Sequence, residues 1–144
     1  MPDAEIRKVG LFTVREGRVL LCRKRQGKLI LPGGKREPGE TSLETLHREV
    51  AEELGSDVRL IAPIPLGTYF DRTAAEAPET SKTIEIELYG GLLRGVPQPS
   101  NEIHALVWFG DEDPWPSLAP SLSGQIFPDL IRRGLLRWER LGPL

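Results

Sequence analysis

The chain has 144 residues, of which 39% are hydrophobic and 28% charged, and its formal net charge is −2. This composition excludes a disordered chain and is typical of one folded domain, so we expect a single domain over residues 1–144. The small net charge gives no electrostatic reason to expect a nucleic-acid polymer as partner.

The N-terminal part of the sequence predicts strands joined by turns. Apolar and β-branched residues favour a strand over residues 6–14 and a returning strand over 18–24, with Glu16-Gly17 as the turn between them. A short strand is predicted at 29–31, and a glycine- and proline-rich loop follows at 33–39.

The clearest predicted element is a helix over about residues 42–54. Thr41 and Glu44 have the spacing of a capping box, and Gly55 suits the C-terminal end. Apolar residues at spacings of three and four form one stripe along this helix; they are Leu43, Leu46, Val50 and Leu54.

The remainder of the chain predicts more strands and one weaker helix. The strands are expected over residues 58–64, 66–70, 82–93 and 103–109. The polar segment 71–82 is predicted to be a mobile loop, and Pro128 suits the first turn of a short helix over about 128–133. Strands around one strong helix and one weaker helix predict an α/β fold, with a mixed sheet between helices.

The sequence also predicts where the protein resides. Cys22 is the only cysteine, so no intrachain disulfide is expected. The first ten residues, MPDAEIRKVG, lack the apolar segment of a signal peptide, and no apolar run approaches the ~18 residues that span a bilayer. We expect a cytoplasmic protein without membrane association.

Three glutamates on the predicted helix are candidate ligands for a metal ion. Glu49, Glu52 and Glu53 share a sector beside the apolar stripe, and like charges this close destabilise a helix unless something offsets them. The alternatives are a solvated face, a set of ion pairs, or a bound cation. Carboxylates at these spacings suit Mg²⁺ or Mn²⁺, and such an ion would assist hydrolysis of a phosphoanhydride.

The spacing around these glutamates resembles the box of the Nudix (MutT-like) hydrolase family. Gly34 is followed after five residues by Glu40, and seven residues later by the run REVAEELG at 48–55. Only the last box position, usually bulky and apolar, departs, because it is Ser56 here; this departure concerns packing at the helix exit. The flanking segments, LLCRKRQGKLILPGGKREPGE and SNEIHALVWF, extend the resemblance over about residues 6–112.

The resemblance implies an α/β/α sandwich around a mixed β-sheet and Mg²⁺- or Mn²⁺-dependent hydrolysis of a nucleoside diphosphate linked to another group, with water as nucleophile. It implies that the metal is held by Glu49, Glu52 and Glu53, with the Gly33 carbonyl and Glu102 as further ligands. One of these glutamates, or another outside the box, would act as base.

Other residues near the box are candidates for binding the substrate or for supporting the site. Arg48 is expected to pair with Glu40 and tie the loop to the helix, and direct contact with a phosphate is the alternative. Lys24 and Arg25 are predicted to bind substrate phosphates or to be a solvated strand end. Trp115 is predicted to be an exposed loop aromatic that contacts the substrate. For the late glutamate, Glu85 and Glu87 compete with Glu102, but their alternation predicts a solvated strand face.

The favoured function is hydrolysis of a nucleoside triphosphate, oxidised or not, to the monophosphate and pyrophosphate. ADP-ribose, a nucleotide sugar or a dinucleoside polyphosphate are the alternative substrates. A non-catalytic Nudix-like binding module and a plain acidic helix in an unrelated protein are the alternatives to an enzyme. The expected partner is a small nucleotide, and the chain is expected to be a monomer or a homodimer.

Overall fold

The computed structural model describes residues 5–25, 27–72 and 82–139. Most of the loop predicted at 71–82 lies outside the described residues. Within them, no helix is both long and apolar enough to cross a membrane.

The described strands form two sheets. The strands are β1 (Ile6–Phe12), β2 (Val14–Arg15), β3 (Arg18–Lys24), β4 (Gly33–Lys35), β5 (Arg59–Arg72), β6 (Thr83–Arg94) and β7 (Ile103–Phe109). One sheet has the order β4-β1-β6-β5 and the other the order β2-β3-β7. Strands β1 and β6 are parallel and the other neighbours are antiparallel, so the larger sheet is mixed.

Two helical segments cover opposite faces of these strands. Helix α1 spans Ser42–Leu54, and helix α2 spans Phe127–Arg132 directly after a π-helical turn at Leu122–Ile126. Successive side chains of a strand point to opposite faces, and here they enter two different cores. One core joins α1 to Val9, Leu11, Leu20 and Cys22. The other joins the C-terminal segment to Phe12, Val19 and Leu21. The predicted α/β/α sandwich around a mixed sheet is confirmed.

Helix α1 follows the sequence closely. The Thr41 hydroxyl accepts from the Glu44 N–H, and the Glu44 carboxylate accepts from the Thr41 N–H, which completes the predicted capping box. Leu46, Val50 and Leu54 are buried as predicted, but Leu43 is 38% exposed, because it lies in the first turn at the margin of the apolar stripe. Ser56 is exposed, and Val58 fills the core beside Leu54 in its place.

Two predicted strand patterns were wrong in detail. Leu29 and Ile30, predicted to begin a strand, make only isolated bridges. The strand forms later, at Gly33–Lys35, where Gly33 and Gly34 pair with β1. The two strands predicted at 58–64 and 66–70 are one continuous strand, β5, with two register shifts. Bulges absorb the extra residues, and Pro63 and Pro65 are tolerated because β5 is an edge strand.

Candidate active site

Helix α1 is held against strand β4 through a buried carboxylate. Glu53 is only 3% exposed. Its Oε1 accepts a hydrogen bond of 2.8 Å from the Gly33 N–H. Because this bond joins the last turn of the helix to the glycine strand, Glu53 has one oxygen fixed on the backbone.

The two glycines of β4 are required for different reasons. A Cβ on Gly34 would lie 2.5 Å from the carboxyl carbon of Glu49, so glycine lets that carboxylate lie directly against the strand. A Cβ on Gly33 would lie 2.0 Å from the Val9 carbonyl oxygen, and Gly33 also has a φ of +142°, which disfavours any other residue. Gly34 therefore serves the position of Glu49, and Gly33 serves the fold.

Arg48 binds the loop to the helix as predicted. Its Nε and Nη2 donate to the two Glu40 oxygens at 2.6 and 2.9 Å, a bidentate pair, and Nη2 also donates to the Lys35 carbonyl at 3.1 Å. Its Nη1 donates to Glu49 at 2.9 Å and lies 3.3 Å from Glu52. The predicted ion pair is confirmed, and the same guanidinium orders two of the box glutamates.

The Arg48–Glu40 pair leads to a prediction on acid stability. Hydrogen bonds from Arg48 lower the pKa of Glu40 to about 2, below an unfolded value of about 4.3. The stabilisation is therefore complete above about pH 4.3 and is lost as the pH falls towards about 2. In urea titrations, we expect Glu40→Gln to lower the unfolding midpoint by an amount that is constant near neutral pH and shrinks on acidification.

Glu37→Gln is the matched control for that series. Glu37 lies in the same loop, is exposed, and approaches Arg48 only to 3.8 Å, so its loss should have little effect at any pH. A Glu40→Gln deficit that does not change with pH would contradict the assignment of the stabilisation to this ion pair.

Two of the box glutamates, Glu49 and Glu53, are in surroundings that disfavour their charged forms. Burial, followed by the charges of Glu49 and Glu102, raises the pKa of Glu53 to about 7, against the lowering effect of the Gly33 hydrogen bond and Lys24. Burial also raises the pKa of Glu49. A cation placed among these carboxylates would offset this effect.

The donor set fits a hard divalent cation such as Mg²⁺ or Mn²⁺, since it consists of carboxylate oxygens with an excess of negative charge. Within the described residues, no three acidic, histidine or cysteine side chains are gathered closely enough to hold a metal ion. Arg48 lies instead beside Glu49 and Glu52, and Lys24 Nζ lies 3.3 Å from Glu102 Oε1.

A cavity of about 650 Å³ lies in front of these residues, a size typical of small-molecule sites. Glu49, Glu102 and Arg48 line it. Its other charged lining is mainly basic and comprises Glu37 and six cations, Lys8, Lys24, Lys28, Lys35, Arg36 and Arg72. Its apolar lining includes Ile6, Ile30, Leu31, Ile84, Ile86 and Leu122, and none of the described lining residues is aromatic.

The predicted substrate-binding residues have different outcomes. Lys24 lines the cavity, whereas Arg25 is exposed and is not part of the lining, and binding of substrate by either residue stays a prediction. Trp115 is not an exposed loop aromatic: it is 2% exposed and packs edge-on against Phe127 at 6.0 Å between ring centroids. The expectation was wrong because Phe127 and neighbouring apolar side chains from distant segments surround this short loop.

Lys8 was not predicted from the sequence. It lies on β1 and lines the cavity together with Ile6 and Gly10, which share its face of the strand by the alternation of two. The available signal was a lysine on the same strand face as Ile6, but a lysine near the start of a strand is ordinarily interpreted as solvated.

The structure therefore combines an α/β/α fold with a glycine strand that holds a carboxylate helix beside a mainly basic cavity. The family model described as the NUDIX domain matches residues 5–130. The chain belongs to the Nudix family and is a Nudix hydrolase, an enzyme of a family that acts on small nucleotide substrates.

Solved structures agree with this assignment. The MutT protein from Methanosarcina mazei is 25% identical with a TM-score of 0.65, over 93% of this chain and 98% of that one. The MutT Nudix hydrolase from Burkholderia pseudomallei is 25% identical with a TM-score of 0.62, over 76% and 85%. An ADP-ribose pyrophosphatase from Streptococcus suis shares the fold at 23% identity and a TM-score of 0.52, over 75% of each chain.

Proposed function

We propose that this protein is a divalent-metal-dependent pyrophosphohydrolase that converts a nucleoside triphosphate, including oxidised forms, to the monophosphate and pyrophosphate. The observation that carries the proposal is the buried Glu53 carboxylate, which accepts from Gly33 and interacts electrostatically with Glu49, two residues that line a mainly basic cavity. The likeness to two MutT proteins at 25% identity supports a pyrophosphohydrolase.

In this proposal, Glu49, Glu52 and Glu53 hold Mg²⁺ or Mn²⁺, with the Gly33 carbonyl and Glu102 as further ligands. When bound, the ion would offset phosphate charge and lower the pKa of a coordinated water. The hydrogen bond from the Gly33 N–H orients Glu53 and leaves its second oxygen available. Arg48 and Glu40 keep the glycine loop on the helix, and Lys24 binds the phosphates from the cavity wall.

Release of phosphate or pyrophosphate from a nucleotide panel tests this function. The panel holds the dNTPs, 8-oxo-dGTP, ADP-ribose, Ap4A and a UDP-sugar, each with Mg²⁺, with Mn²⁺ and with EDTA. We expect metal-dependent turnover that is greatest for a triphosphate. Faster turnover of ADP-ribose, Ap4A or the UDP-sugar would replace the proposed substrate. Binding without turnover would indicate a non-catalytic nucleotide-binding module.

Glu102→Gln is expected to lower kcat less than Glu53→Gln does. Glu102 is exposed in the turn before β7 and is paired with Lys24, so water can replace one of its oxygens more readily than an oxygen of the buried Glu53. Steady-state kinetics of the two variants at saturating metal provide the comparison. Losses of equal size would instead make Glu102 an essential ligand.

We also infer a cytoplasmic location from the single cysteine, which is buried, because a protein in a reducing compartment needs no disulfide. The assembly is proposed to be a monomer or a homodimer, which light scattering at assay concentrations distinguishes.

A further inference from the structure

Lys8 occupies an unusual place for a lysine. It lies on β1, an inner strand of the mixed sheet, where it pairs with Ile86 of β6 and Lys35 of β4. The residue is half-buried and lines the cavity. Its charged neighbours are Lys24 and Lys35, together with Glu53 and Glu102.

The position of Lys8 is electrostatically costly without a bound anion. Among the described residues, no carboxylate lies within 4.0 Å of its ammonium group as a salt-bridge partner. Burial lowers the pKa of Lys8, and the like charges of Lys24 and Lys35 add to that effect, which the smaller opposing effects of Glu53 and Glu102 do not cancel. Lys24 already pairs with Glu102. An anion in the cavity would offset both the burial and the repulsion.

The sheet orders the charged and apolar residues of the cavity. Lys35 on β4, which packs against α1, is followed across the sheet by Lys8 on β1 and then by Ile86 on β6. Lys24 lies beside Glu102, and Ile84 and Leu122 add to the apolar part of the lining. Aliphatic side chains offer no hydrogen bonds, so they suit the flat face of a base. The lysines suit phosphate oxygens, and each further phosphate brings more negative charge to them. A neutral sugar at that end would leave part of the lysine charge without an anion.

We propose that Lys8 is a specificity-determining residue, which binds the phosphate chain together with Lys24 and Lys35 and makes the site prefer three linked phosphates to two. This inference rests on the proposed function, because it assigns the same cavity to a nucleotide. Lys8 completes a cluster of three ammonium groups beside the carboxylates, and this cluster accounts for the preference for a triphosphate.

Binding of non-hydrolysable nucleotides tests the role of Lys8 without turnover. Titration calorimetry with Mg²⁺ compares the α,β-methylene analogues of one nucleoside as triphosphate and as diphosphate. We expect the wild type to prefer the triphosphate, and Lys8→Gln to reduce that ratio of Kd values about tenfold, the loss expected for one charged contact. Lys8→Met, which keeps most of the aliphatic stem, should reproduce the loss and guards against an effect of misfolding.

Arg23→Gln is the matched control, because Arg23 is an exposed cation on β3 that does not line the cavity. An unchanged ratio in both Lys8 variants, or equal weakening of both analogues, would overturn the proposal. The ratio tests Lys8 independently of catalysis: a wild type that binds both analogues but hydrolyses no nucleotide of the panel would refute the proposed function only.

Discussion

Replacing Glu53 by glutamine should lower kcat at least about 100-fold, because the change removes the negative charge of a proposed ligand to the metal ion that stabilises the transition state. The amide keeps nearly the same shape, and its oxygen can still accept from the Gly33 N–H. The fold should therefore persist. Steady-state kinetics with Mg²⁺ or Mn²⁺, together with circular dichroism, provide the measurement.

The same substitution should not destabilise the metal-free protein. Burial raises the pKa of Glu53 to about 7, above an unfolded value of about 4.3. The ionised carboxylate therefore costs stability as the pH rises through that range. In EDTA, we expect the Tm of Glu53→Gln to equal or exceed that of the wild type, with an advantage that grows from about pH 5 to about pH 8. The rise in Tm on adding metal should be lost.

Glu44→Gln is the control for Glu53→Gln. Glu44 lies on the same helix and is exposed, and glutamine can replace glutamate in a capping box. Activity and metal response should be close to those of the wild type. If Glu53→Gln kept wild-type turnover, the site would lie elsewhere, and the box glutamates would be only a charged face of the helix.

The second large effect is expected for Gly34→Ala. The added Cβ would lie 2.5 Å from the Glu49 carboxyl carbon, so the carboxylate has to move by about 1 Å or more. Since the contact is with the end of a flexible side chain and Gly34 has no positive φ, the fold should accommodate it. A displacement of that size in an active site costs about 10- to 100-fold in rate, measured as kcat at saturating metal.

Two other glycines bracket this result. Gly124→Ala adds a Cβ with no atom within 4 Å and should leave activity and Tm nearly unchanged. In Gly33→Ala, the new Cβ would clash with the Val9 carbonyl oxygen, and the positive φ of this position would strain the backbone. This substitution should therefore lower Tm strongly. Gly34→Ala with full activity would mean that the position of Glu49 is not critical, whereas loss of folding would mean that Gly34 is structural.

Helix α1 could be predicted from the sequence because interactions between residues close together in the chain determine where it begins and ends. The capping box of Thr41 and Glu44 and the apolar spacing of α1 involve residues three or four apart, so the helix was predictable to its ends. The Arg48–Glu40 pair was also predicted, through the resemblance of the box spacing to the Nudix family. Strand β5 was less predictable, because its two prolines are tolerated only on an edge, and edge position depends on the whole sheet.

The amino-acid sequence by itself determined the family, the carboxylate helix and the general α/β architecture, since these depend on residue type at short, regular spacings. Only the tertiary structure decided that Trp115 belongs to the core, that Glu53 is buried against Gly33, and that Lys8 lines the cavity beside Lys24. Burial, and with it the electrostatic cost of a charge, arises from segments far apart in the chain packing together. No local pattern contains that information.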